Sequence, residues 1–336
     1  MLKKKVSLHI SLLMTISGII ITFFLVSWLT KKEIQVVEQQ SIPDYSIFNC
    51  KPTAVRLGGY EYIRPLLFGQ DACEAQTLKP VKNEIETLIN SYEGSGVLSS
   101  ASVYLRQLGK GDYISIGETE TYNPGSLLKV PELITFMKMR EKDPGLLDKK
   151  IAYLTPLVLK KQAYFLSKSI ELGKTYTIRE LLYYMIAYSD NNATMLLNQR
   201  MDLTIFKKVF TDLGMDDPDM TKNDIPITAK QYSLFMRVLY NASYLNIDDS
   251  EYCTELLSHS DFNKGLINGL PKEIKVAHKF GEANDGLNAH FCESGIIYIN
   301  NTAYLLTVMT KGKNNTLLPG VISDISRKVY EMMNRI

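Results

Sequence analysis

Tyr122-Asn123-Pro124-Gly125-Ser126-Leu127-Leu128-Lys129-Val130-Pro131 reads as the opening of a helix with chemistry on one face. Pro131 removes a helical hydrogen bond one turn after Ser126, which a helix tolerates only near its start, so Ser126 belongs at an N-terminus. Residues three apart share a helix face with Cβ atoms about 5–6 Å apart, and Lys129 can therefore reach the Ser126 hydroxyl and take its proton. Alone, Ser-x-x-Lys is an ordinary pairing of exposed polar residues. Two later stretches give it weight, Ser189-Asp190-Asn191 and Lys279-Phe280-Gly281, following in that order along the chain.

Outward from these stretches the periodicity changes twice. On the N-terminal side, Val81, Ile85, Leu88 and Ile89 have helical spacing up to Gly94. Strands Ala101 to Leu108 and Tyr113 to Gly117 follow, joined by Gly109-Lys110-Gly111-Asp112. From Ser126 to about Tyr244 the pattern is helical, with a capping box at Thr177 and Glu180 opening the helix that runs at Ser189. After Pro271 the period becomes two. Ile274, Val276, His278 and Phe280 fall on one face and Lys275, Ala277 and Lys279 on the other, which puts Lys279 on a strand. Phe291 to Ile299 and Ala303 to Thr310 read as a hairpin around Asn300-Asn301-Thr302, and Ile322 to Ile336 as a closing helix. Two strands, a helical block, three strands and a helix predict an α+β fold. The two ends meet in one five-stranded antiparallel sheet with helices on both faces.

The ordered set Ser-x-x-Lys, Ser-Asp-Asn and Lys-x-Gly resembles the β-lactamase and penicillin-binding protein superfamily, in particular its class A β-lactamase-like branch, over residues 80 to 336. The resemblance implies a β-lactamase/transpeptidase-like fold and a serine acyl enzyme. Ser126 is then the nucleophile, with its own backbone N–H and that of Glu282 facing the oxyanion. Lys129 is the base, Ser189 relays the proton to the leaving amine, and Asn191, Lys279, Gly281 and Glu282 bind the substrate. A lysine can act as base only when neutral, although its free pKa is about 10.4; burial and the charge of Lys279 are both expected to lower it. Singly, Asp190, Asn191 and Asn192 read equally well as helix caps, and Lys279 as a solvated lysine.

Two departures qualify the resemblance. Phe280 stands where relatives carry a Thr or Ser hydroxyl for the substrate carboxylate. Between Leu213 and Thr228, where class A enzymes place the deacylating glutamate, the chain is short and has no Glu; Asp217 or Asp224 are the candidate substitutes. The expected activity is acylation by β-lactams or D-alanyl peptides of cell wall with slow deacylation. A working β-lactamase with a substitute base, or a non-catalytic binding or scaffold protein on the same fold, are the other readings.

The ends and composition set the setting. Lys3-Lys4-Lys5 precede an apolar run from Val6 to Thr30, closed by Lys31 and Lys32. As a helix it spans about 37 Å, enough to cross a hydrocarbon core of about 30 Å. The lysine bias predicts a single-pass anchor in the cell membrane (residues 1–32) with the rest extracytoplasmic. Residues 33–79 mix Pro, Gly and aromatics without period and read as a juxtamembrane extension. Of the four cysteines, Cys50 and Cys73, both in that extension, are expected to pair; Cys292 lies in an apolar strand-like run and reads as a buried hydrophobe, and Cys253 carries no assignment. In 336 residues, 38 Lys and Arg against 36 Asp and Glu leave a net charge of +2. That balance gives no footprint for nucleic acid. With no Cys-x-x-Cys or His-Glu-x-x-His and four scattered histidines, no metal or other cofactor is expected.

Overall fold

The computed structural model describes residues 53–60, 62–70, 73–157, 165, 167–222, 225–299 and 302–334. The chain divides into two compact units, Met1–Tyr45 with Gly58–Arg64, and Ser46–Leu57 with Pro65–Ile336. In the first, Arg64 folds back to donate to the carbonyl of Ile63 at 2.8 Å. The second carries the sheet and the site.

Its frame is a five-stranded antiparallel sheet. β3 (Ser100–Gln107), β4 (Tyr113–Ile116), β7 (Lys275–Asn284), β8 (Ala289–Ile299) and β9 (Thr302–Gly312) lie in the order β4-β3-β9-β8-β7. The expected joining of the two ends is the pairing of β3 with β9, which sets Val103 opposite Val308 and Ser100 opposite Lys311. Alternation along β9 explains why both faces are covered. Leu305 and Met309 enter one core with the helical block, and Tyr304, Leu306 and Val308 enter another with α1 (Lys79–Gly94) and α8 (Leu318–Met333). α1 supplies Val81, Ile85 and Ile89 to that second core and α8 supplies Val321, Ile322, Ile325 and Val329. Each such side chain contributes roughly 1.5–3 kcal/mol when fully buried.

The helical block holds α2 (Lys129–Arg140), α3 (Ile178–Ala187), α4 (Asn191–Asn198), α5 (Leu203–Asp212), α6 (Ala229–Tyr240) and α7 (Ile247–Ser258). The capping box opens α3, with Glu180 N–H donating to Thr177 Oγ1 at 3.1 Å and Thr177 N–H to Glu180 at 2.7 Å. The block is not purely helical: β5 (Lys150–Ala152) and β6 (Thr175–Thr177) form a small antiparallel ribbon inside it. Three-residue strands are too short for period two to register in sequence, which is why the expected helical run passed over them.

The stretch before residue 80 also carries structure. β1 (Thr53–Arg56) and β2 (Leu66–Gln70) pair antiparallel, Leu67 and Phe68 are buried in the core, and Arg237 of α6 donates to Gly69 O at 2.5 Å. Cys73 is disulfide-bonded, whereas Cys253 and Cys292 are free and buried; Cys50 lies outside the described residues. So does the apolar run 6–30 expected as a membrane helix, and among the described residues no helix is long and apolar enough to cross a membrane.

Candidate active site

β7 is an edge strand, and the turn that carries Ser126 packs against its face at Gly281. Gly125–Leu128 form one 3-10 turn leading into α2 at Lys129, and the Lys129 N–H donates back to Ser126 O. In 3-10 geometry residues i and i+3 eclipse, yet the hydrogen bonds of Lys129 Nζ run to Ser189 and Asn191 and not to the Ser126 hydroxyl that the spacing led us to expect. The turn and the strand touch through two glycines. A Cβ on Gly281 would stand 2.1 Å from Pro124 O and 2.9 Å from Ser126 N; one on Gly125, whose φ is +52°, would stand 2.3 Å from Glu282 O and 3.0 Å from Glu282 N. No other residue permits this approach. It sets the backbone of the Ser126 turn directly beside that of Glu282.

Ser189 enters from the other side, between α3 and α4. Its φ of +52° is left-handed, a strain of about 1–3 kcal/mol for a non-glycine residue. Asp190 holds it there. Its carboxylate caps α4 by accepting from Asn192 N–H at 3.0 Å and also accepts from Ser169 Oγ and Ile170 N–H, both at 2.8 Å. The capping reading is therefore the right one for Asp190, and the cap is what aims its neighbour.

Two lysines converge on the Ser189 hydroxyl. Lys129 Nζ donates to Ser189 Oγ at 3.2 Å, to Ser189 O at 2.7 Å and to Asn191 Oδ1 at 2.7 Å; Lys279 Nζ donates to the same Oγ at 2.9 Å and to Phe280 O at 3.0 Å. Asn191 thus holds Lys129 through its side-chain oxygen. Lys279 is not a solvated lysine: its relative exposure is 0%, against 3% for Lys129.

Burial pushes Lys129 down to about 8, against the pull of the Glu132, Asp190 and Glu282 carboxylates. Lys279 is lowered well below its ordinary value, by burial first and then by the charge of Lys129, with Glu293, Asp261 and Glu282 opposing. The charge of Lys129 acts on Lys279, whereas Lys129 is lowered by burial rather than by the expected charge of Lys279.

Phe280 is not a free ring. It is buried against Phe262 in a stack with 4.1 Å between centroids and packs near Phe291 and Phe165, with Lys279 Nζ 4.4 Å from its own centroid. Asp217 is turned outward to an ion pair with Lys207 at 3.2 Å, its side chain 59% exposed, and Asp224 lies outside the described residues. Sequence reasoning missed Glu132, one turn beyond Lys129 on α2. It is buried at 8% exposure with Oε2 unpartnered, and burial raises its carboxyl to about 7 against the charge of Lys129. The available signal was a carboxylate inside the apolar run Val130 to Phe136. Among the described residues no group of His, Cys, Asp and Glu gathers as a metal site.

Solved structures share this fold. The structure of PBP-A is 19% identical, over 79% of this chain and 99% of that one, with a TM-score of 0.66. A PBP-A mutant solved as its acyl-enzyme complex with penicillin G is 20% identical over 77% and 98%, with a TM-score of 0.64. A class A β-lactamase from Mycobacterium abscessus is 20% identical over 76% and 99%, with a TM-score of 0.63. At these identities the likeness is one of fold. No curated protein matches the chain. The model of the Beta-lactamase enzyme family matches residues 80–333, three quarters of the sequence, and the chain belongs to that family.

Proposed function

We propose that the chain is an exported, membrane-anchored serine acyl enzyme that forms an ester at Ser126 with β-lactams or D-alanyl peptides and deacylates slowly. The observation that carries the reading is the Ser189 hydroxyl held between two buried lysines beside the Ser126 turn. Neutral Lys129 takes the Ser126 proton as Oγ attacks the carbonyl carbon. The negative oxygen is met by the backbone N–H groups of Ser126 and Glu282. When the C–N bond breaks, Ser189 gives its proton to the leaving nitrogen and recovers one from the Lys129 ammonium, leaving the acyl ester. Asn191 and Lys279 orient the substrate.

Hydrolysis of that ester needs a base aimed at water, and the sequence between Gly214 and Asp224 has no glutamate to supply it. That Asp217 is committed to Lys207 supports slow release, as does likeness to a protein solved as a penicillin acyl-enzyme. Anchoring through residues 6–30, with an extracytoplasmic domain, rests on the apolar run and its lysine flanks. Reporter fusions after Lys32 test it: an active cytoplasmic reporter refutes it.

The test of the chemistry is intact mass spectrometry of the chain mixed with penicillin G. Wild type should gain one adduct that persists for minutes, and Ser126→Ala none. An adduct that survives Ser126→Ala sinks the site, rapid turnover without an adduct sinks slow deacylation, and no adduct with any acylating probe favours the binding or scaffold reading.

A further inference from the structure

Asn123 is the hinge on which the nucleophile turn hangs. Its side-chain Oδ1 accepts from Gly125 N–H at 3.1 Å, its carbonyl faces the Cys292 thiol at 3.9 Å, and its backbone N–H donates to His290 Nδ1 at 3.0 Å. A backbone N–H can only donate, so Nδ1 of His290 must be the bare nitrogen and Nε2 must carry the proton. Nε2 stands 2.9 Å from Asp285 Oδ2, the acceptor that this tautomer needs. Asp285 is itself fixed in the β7–β8 turn. The Asn288 N–H, then the His290 ring and then the Leu287 N–H hold its carboxyl well below the usual carboxylate range.

The ring is boxed in. His290 is buried on β8, opposite Ala283 of β7 on one side and Lys311 of β9 on the other, with the Tyr122 ring edge-on at 6.2 Å. Lys311 is paired with Glu120. The next residue on β8, Phe291, pairs with Glu282. One imidazole therefore grips, through Asn123, the turn that presents the Ser126 N–H, while standing on the strand that registers the Glu282 N–H.

We infer that the Asp285–His290 pair is a positioning device for acylation: it sets the Ser126 turn in register with Glu282 by holding the Asn123 amide. Neither residue touches the reacting atoms. The inference rests on Ser126 being the acylated residue, and one of its readouts does not depend on acylation.

The test compares wild type with His290→Asn and His290→Leu. Asn Oδ1 is as many bonds from the backbone as His Nδ1 and can accept from Asn123 N–H; Leu has similar bulk and accepts nothing. Labelling of Ser126 by a fluorescent penicillin should slow about tenfold in His290→Leu, the factor that corresponds to about 1.4 kcal/mol, and return to within about twofold of wild type in His290→Asn. Hydrogen–deuterium exchange of the peptide holding Asn123 and Gly125 should speed up in His290→Leu and not in His290→Asn. If no variant labels, acylation at Ser126 is what failed, and the exchange pattern alone decides the clamp. Equal exchange in all three chains, or labelling as slow in His290→Asn as in His290→Leu, overturns it. Should His290→Leu fail to fold, Asp285→Ala replaces it, expected to speed the same exchange by freeing the other tautomer; unchanged exchange there overturns the inference equally.

Discussion

Acylation of Ser126 should track the deprotonation of Lys129. With Lys129 at about 8, about 1% of chains hold a neutral lysine at pH 6, about 9% at pH 7 and about half at pH 8. The labelling rate should therefore climb about ninefold and then about fivefold over these two steps and level off above pH 9. A lysine at its ordinary value of 10.5 would be neutral in about 0.03% of chains at pH 7, about 300-fold fewer, and its rate would still be rising at pH 10. The perturbation is Glu132→Gln, which keeps the volume and removes the carboxylate. Because Glu132 raises Lys129 and is itself ionised mainly above about 7, its removal should displace the limb to lower pH. A displacement of about half a unit makes labelling at pH 7 about threefold faster. The assay is the second-order rate of labelling by a fluorescent penicillin between pH 5.5 and 10.5, with Ser126→Ala as blank. A limb still climbing beyond pH 9.5, or one that Glu132→Gln moves upward, would refute burial as the source of the neutral base.

Gly281→Ala should cut labelling by about 10²-fold, the cost of a misplacement of about 1 Å, because its Cβ would strike Pro124 O; a wild-type rate would show that turn and strand are not in contact. Ser189→Gly and Ser189→Ala should both lose the proton relay, yet Gly should melt higher, by about 1 kcal/mol, since it alone adopts φ +52° without cost; equal melting would mean the strain is absent. Phe280→Thr, which installs the hydroxyl of relatives, should destabilise by about 3 kcal/mol through loss of the Phe262 stack, measured by urea denaturation, with no change in stability counting against the aromatic cluster. Phe68→Ala should cost about 3 kcal/mol in the same assay although it precedes the family-matched region.

Periodicity made the frame legible. Period two from Ile274 onward and the apolar runs to Thr310 are what a sheet covered on both faces requires, and the observed β7, β8 and β9 follow them. The candidate site was legible only as an ordered set of three motifs, since Ser126, Ser189 and Lys279 are far apart in sequence and any one of them has a bland reading. What stayed hidden depends on pairing across distance. Nothing local says that Gly125 and Gly281 face each other, that Asp190 aims Ser189 from a cap, or that His290 reaches back to Asn123. β1 and β2 were hidden for another reason: their strands are four and five residues long and separated by Gly- and Pro-containing chain. A hairpin of that kind declares itself only where Leu67 and Phe68 find the core.

The pairing of Ser100 with Lys311 has a consequence for how the chain acquires its fold. β3 and β4 are made early, but the second partner of β3, β9, is nearly the last element synthesised, and the whole helical block is threaded between them. Loop-closure entropy must be met before that pairing returns anything, so the early ribbon waits with an unsatisfied edge while most of the polypeptide is still emerging. Folding of the sheet is in this sense a terminal event. Chains stalled before Thr302 should leave Ser100–Ile116 open to protease, and chains that have released Gly312 should protect it; protection in both would mean that the ribbon is stabilised by something other than β9. Under the proposed export, a sheet that closes only on its last strand would keep the chain translocatable until nearly all of it has been made.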